Sequence, residues 1–153
     1  GEALKARTRI GVATYASAKG FEQVKGSLLN TTVKGTGFSY DTFGELVVNS
    51  GFRNEGNVHV RPLITLAIED DFGEIIRDEE GKEQLVLAQG GPVFPYQERT
   101  FEGLKFKVKL QPGRRYLARC VAQFGEFFEK TKRINQSFAF SVNRNGEIVM
   151  EPD

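Results

Sequence analysis

The sequence predicts an all-β domain built as an antiparallel sandwich. Apolar residues recur with a period of two. Gly, Pro, Asn and Asp break that alternation at intervals of about a dozen residues, and no long segment carries a helical period. At 153 residues the chain is long enough for one domain to bury a core without a disulfide staple.

The elements follow in order. In "TRIGVATY", Ile10 and Val12 share one face of a plausible first strand, with Arg9 and Gly11 on the other. "FEQVKGSLLNTTVKG" is rich in β-formers and ends in the Gly-rich loop "KGTGFSYDTFG". "ELVVNSGF" is a strand with Leu46, Val48 and Phe52 inward, and "NEGN" is its turn. Val58, Val60, Ile64, Leu66 and Ile68 then share a face, while His59, Arg61, Thr65 and Glu69 take the other. Pro62 lies in the apolar phase and demands an edge, a bulge or a kink, because it has no N–H for the ladder. "EIIRDEEGKEQLVLAQGG" predicts two short strands around a polar tip.

"LKFKVKL" alternates Leu104, Phe106, Val108 and Leu110 with Lys105, Lys107 and Lys109, so one face is wet. "YLARCVAQF" points Tyr116, Ala118, Cys120, Ala122 and Phe124 inward, and "INQSFAFSV" does so with Phe138, Phe140 and Val142. Only Phe124 to Arg133 offers room for a helical turn. These spacings predict an antiparallel immunoglobulin-like β-sandwich of about seven strands. "LQPGRRYLARC" adds a Pro-Gly turn before Tyr116, an arrangement like the tyrosine corner of such sandwiches. Here Tyr116 precedes the cysteine by four residues rather than two. A lone Cys120 and the absence of Trp exclude an antibody-type domain.

Composition narrows the function. With 21 basic and 20 acidic residues the net charge is +1, which gives no electrostatic support for nucleic acid or an acidic membrane. One cysteine permits neither an intrachain disulfide nor a cysteine-based zinc site, and no apolar run approaches bilayer-spanning length.

The only histidine, His59, lacks neighbouring ligands at metal spacing and has no G-x-S-x-G turn to pair with. It reads as a strand-face residue first and a partner contact second. The runs Glu69–Asp71 and Asp78–Glu80 are contiguous rather than alternating, unlike a calcium loop, and read as solvated hairpin tips. The lysine row reads as protection of a sheet edge, and the Gly-rich stretches join no strand to a helix as a phosphate loop must. No cofactor is expected. Clustered aromatics in apparent loops, Phe38, Tyr40 and Phe43 in one and Phe94 and Tyr96 in another, are candidates for a partner contact or a sugar-stacking platform. The alternative is a lid over the open end of the sandwich.

The succession "FRNEGNVHVRPLITLAIEDDFGEII", "GGPVFPYQERTFEG", "LQPGRRYLAR" and "QFGE" resembles an immunoglobulin-like module of bacterial envelope proteins. That module is related to the second domain of periplasmic pilus-assembly chaperones and to similarly organised cell-surface proteins. Here "PGRRY" is one residue longer than the usual P-G-x-Y. "TRIGVATY" resembles the strand that ends the preceding domain in such proteins. The resemblance therefore implies that residues 1–20 are an N-terminal arm, or the last strand of a missing upstream domain, and that residues 21–153 are the sandwich. The chaperones hold their subunit-binding residues in that missing first domain, so none carries over to this chain.

The expectation that follows is a non-catalytic protein–protein interaction or scaffold domain in the bacterial periplasm or on the cell surface. An alternative is a fibre or pilus subunit that self-associates by donating the strand carrying Ile10, Val12 and Tyr15 to an exposed sheet edge. A further alternative is a carbohydrate-binding module using Phe38, Tyr40, Phe94 or Tyr96. An enzyme is not expected, because no nucleophile, base and orienter assemble around a single histidine.

Overall fold

Two antiparallel sheets enclose one apolar core in the computed structural model, which describes residues 21–125 and 131–152. The described residues contain eight strands and no helix. They are β1 (Gly26–Lys34), β2 (Gly44–Asn54), β3 (Leu63–Asp70), β4 (Leu85–Gln89), β5 (Glu98–Val108), β6 (Arg115–Phe124), β7 (Lys132–Val142) and β8 (Ile148–Met150). One sheet has the order β1-β2-β5 and the other β4-β3-β6-β7-β8. The expected first strand around Ile10 and Val12 lies outside the described residues. So does residue 126–130 of the segment expected to hold a helical turn, which β6 and β7 flank.

Alternation places the core as the period of two requires. Leu46, Val48 and Phe52 of β2 face Ile64, Leu66 and Ile68 of β3 and the inward row Tyr116, Ala118, Cys120, Ala122 and Phe124 of β6, all buried. Each large aliphatic side chain so buried contributes about 1.5–3 kcal/mol. Phe52 and Phe124 meet edge to face across the sheets at 4.9 Å between ring centroids. Among these hydrocarbons sits one polar group. Thr31 and Ser50 share a 2.9 Å hydroxyl bond, and both hydrogen-bond the Cys120 thiol. Burial pushes that thiol's pKa up.

Pro62 marks the kink it demanded. Val60 pairs with Val93 in an isolated bridge, the ladder lapses, and β3 starts at Leu63. The segment between β3 and β4 departs from expectation, because only β4 is a strand. Ile75 and Asp78 make single bridges to Glu69 and Val108. The reason is that this segment crosses between the sheets: Ile76 N–H donates to Ile68 in one, and Glu79 N–H to Lys107 in the other. Such a stitch leaves no partner for a continuous ladder. It covers part of edge strand β5, whose exposed Lys105 and Lys107 also oppose edge-to-edge pairing.

The acidic tips are turns of one design. Asp70 Oδ1 accepts from the N–H groups of Phe72 and Glu74, both at 2.9 Å. Asp78 Oδ1 does the same for Glu80 and Lys82, and Asn143 Oδ1 for Asn145 and Glu147. Each turn ends in a glycine at positive φ: Gly73, Gly81 and Gly146. A short side-chain acceptor at the first position and a left-handed glycine at the fourth are what such a tight turn needs.

Candidate functional site

The two groups of loop aromatics lie at opposite ends of the sandwich. Phe38, Tyr40 and Phe43 precede the start of β2, whereas Tyr96 donates its N–H to the Asn54 carbonyl at the end of β2. The 11 residues of β2 set the two groups about 30 Å apart.

The first end is built around Asn54, which is fully buried. Its inward position continues the phase of Leu46, Val48, Ser50 and Phe52, so its amide is driven into the core and must find partners there. Nδ2 donates to the carbonyls of Val58 at 2.8 Å and Val93 at 2.9 Å, and Oδ1 accepts from Gly56 N–H at 2.9 Å. One side chain thus ties the turn after β2 to the loop before β5. The same loop is held by Arg61 on the Gly90 carbonyl and Arg99 on the Pro92 carbonyl.

On this frame Phe94 and Tyr96 are exposed, at 55% and 70%. Tyr96 adopts φ +63°, a left-handed conformation costly for a side chain with Cβ, and its hydrogen bond to Asn54 holds it there. His59 is half-buried on the polar phase of its segment, with its ring 6.0 Å from that of Phe94. The chain enters beside it: Asn57 Nδ2 donates to the Phe21 carbonyl at 2.8 Å, and Asn57 Oδ1 accepts from Gln23 N–H. A Cβ on Gly56 would stand 2.0 Å from the Gln23 carbonyl oxygen, so only glycine admits this approach. Ile10, Val12 and Tyr15 lie outside the described residues.

The second end is closed differently. Phe38, expected as an exposed loop aromatic, is instead buried at 3% and belongs to the core. Its N–H donates to the Gly146 carbonyl at 3.0 Å, which draws the ring under the β7–β8 turn and removes it from any contact face. Tyr40 and Phe43 remain exposed. Tyr40 O–H donates to the Pro112 carbonyl and Asp41 N–H to Gln111 Oε1, tying this loop to the β5–β6 turn. Lys109 lies over the Phe43 ring at 4.9 Å and Arg114 over Phe72 at 5.1 Å.

Arg114 also bonds Asp71 at 2.9 Å, which holds the Asp71 carboxyl below its usual range and raises the guanidinium pKa. At the base of this end Gln111 N–H donates to the Tyr116 hydroxyl at 2.7 Å, and the Tyr116 ring stacks on Phe140. This is the corner bond that "LQPGRRY" suggested. Burial raises the Tyr116 pKa and keeps its hydroxyl protonated.

Sequence reasoning treated "NEGN" as a plain turn and missed Asn54 as the centre of the first end. The available signal was a polar residue in the inward phase of β2. It also passed over Gln111, Arg144 and Asn145, whose convergence depends on three loops meeting. Among the described residues no group of three His, Cys, Asp or Glu side chains is placed to hold a metal, and no helix is long and apolar enough to cross a membrane.

No protein-family model and no curated protein matches the chain. Among solved structures it is similar to a protein from Archaeoglobus fulgidus, with 15% sequence identity and a TM-score of 0.41 over 75% of this chain and 97% of that one.

Proposed function

We propose that the chain is a non-catalytic, immunoglobulin-like interaction and scaffold module of a bacterial envelope protein, working in the periplasm or at the cell surface. Three features support the immunoglobulin-like reading. β1, β2 and β5 share one sheet while β3, β6 and β7 share the other; relative to the seven-strand constant arrangement, only β4 has moved beside β3. The Tyr116 corner bond lies at the start of β6. Cys120 of β6 meets Ser50 of β2 in the core, between the two strands that antibody domains link by a disulfide.

The observation that carries the interaction reading is the first end. Phe94 and Tyr96 are large and exposed, on a loop whose backbone is tied to Asn54 at Val93 and at Tyr96, so a partner docking on them loses little loop entropy. Rigid aromatic anchors of this kind dominate protein interfaces. His59 adds a polar neighbour beside them.

The test is capture of envelope proteins of the encoding bacterium by the immobilised full chain. Binding lost in the Phe94→Ala, Tyr96→Ala double variant and kept in Phe43→Ala supports the reading; binding indifferent to both overturns it. Fractionation of the encoding cells should place the protein outside the cytoplasm, and a wholly cytosolic protein defeats the compartment. If light scattering finds a polymer that becomes a monomer when residues 1–18 are deleted, the fibre reading replaces the scaffold.

A further inference from the structure

At the second end three loops enclose a groove of about 960 Å³ lined in part by Tyr40, Asp41, Gln111, Pro112, Arg144 and Asn145. Its volume lies at the upper end of the range for small-ligand sites. The walls are fixed by bonds between loops rather than by ladder pairing. Phe38 N–H to Gly146 joins the loop before β2 to the β7–β8 turn, and Asp41 N–H to Gln111 and Tyr40 O–H to Pro112 join it to the β5–β6 turn. Asp41 sits at φ +57°, a left-handed turn conformation that Asp tolerates.

We propose that this groove binds an oligosaccharide carrying a carboxylate. The chemistry of the lining selects that class. Tyr40 is 69% exposed, with its hydroxyl 3.4 Å from the Pro112 carbonyl, so its ring offers an apolar face of the kind a sugar's C–H side covers. Sugar hydroxyls both donate and accept, and the groove offers both: the Asp41 carboxylate accepts, while the amides of Gln111 and Asn145 do either.

Arg144 supplies the charge preference. It makes no ion pair among the described residues, whereas the neighbouring Arg114 is engaged by Asp71. An unpaired guanidinium in a turn pinned by Asn143 is positioned to take a carboxylate through two parallel N–H bonds. A peptide is the poorer fit, because Phe38, which also lines the groove, is only 3% exposed and opens no apolar side-chain pocket there. The site is independent of the Phe94–Tyr96 end and stands or falls without it.

The test titrates the full chain with a galacturonic acid trisaccharide by calorimetry, with a neutral galactose trisaccharide and an aspartate-rich peptide as comparators. Saturable binding of the acidic sugar is expected, weakened about tenfold for the neutral sugar and by Arg144→Gln. Tyr40→Ala is expected to weaken both sugars by a similar factor, and Tyr96→Ala neither. Unfolding curves matching the parent chain show that the exposed-site variants remain folded. Absence of sugar binding at millimolar concentration, equal binding of acidic and neutral sugars, indifference to Tyr40→Ala, or preference for the peptide overturns the proposal.

Discussion

At the His59 end of the sandwich a buried amide, Asn54, organises the loops, whereas at the Tyr40 end a buried ring, Phe38, plugs the core beneath them. Hydrogen bonds are directional, so the Asn54 side chain dictates the path of the loops at Gly56, Val58 and Val93, and its backbone carbonyl receives the left-handed Tyr96. Apolar burial has no direction. The Phe38 ring therefore closes its end without dictating a loop path, and bonds from the Phe38 N–H to Gly146 and from the Asp41 N–H to Gln111 do that work. One end is shaped from within, and the other is tied from outside.

Substitutions can break this contrast. Phe38→Ala should cost the most, about 3–5 kcal/mol from lost burial and the cavity left behind, read as a lower midpoint in urea unfolding. Asn54→Ala should cost about 1–3 kcal/mol, since it strands the Val58 carbonyl and the Gly56 N–H and removes the second of two bonds to the Val93 carbonyl. It should also speed amide exchange at Gly56, whose N–H bonds the lost side chain, while leaving Asp41 protected. A Phe38→Ala variant that disorders its loops as widely as Asn54→Ala would remove the distinction.

Tyr116→Phe deletes a single acceptor beneath the Tyr40 end and should cost about 1 kcal/mol, with Phe140 still stacked. The smallest effect is on pH dependence. Arg114 lowers the Asp71 pKa in the folded chain, so its contribution is full above the unfolded carboxylate pKa and is lost as pH falls through the lowered folded value. Asp71 is exposed, so Asp71→Asn should flatten the acid limb of stability against pH only slightly. A large change would show the pair to be more deeply coupled to the fold than its exposure implies.

The strand cores were legible because burial enforces a period of two. Val60, Ile64, Leu66 and Ile68 could be placed on one face without knowing what they face, and Pro62 announced its own kink. The acidic tips were legible as turns for a local reason, since Asp70 and Asp78 cap backbone within four residues of themselves. The segment Ile75–Gln84 was misread as strand on one side of its tip. Its apolar residues carry β propensity, and its route between the sheets is set by Ile68 and Lys107, partners distant from most of it.

The ends of the molecule show where local information stops. From sequence alone, Phe38, Tyr40, Phe94 and Tyr96 are equivalent loop aromatics, because nothing nearby records which loop folds inward. The all-β class, the inward rows and the turns could be read from the residues alone, because each depends on residues within a few positions of one another. The closed sandwich was needed to show that Phe38 is core and that the remaining aromatics stand about 30 Å apart. It likewise brought Arg144 and Tyr40 to the lining of one groove. Those outcomes depend on contacts between segments far apart in the chain, and such contacts exist only once the sheets have closed on their core.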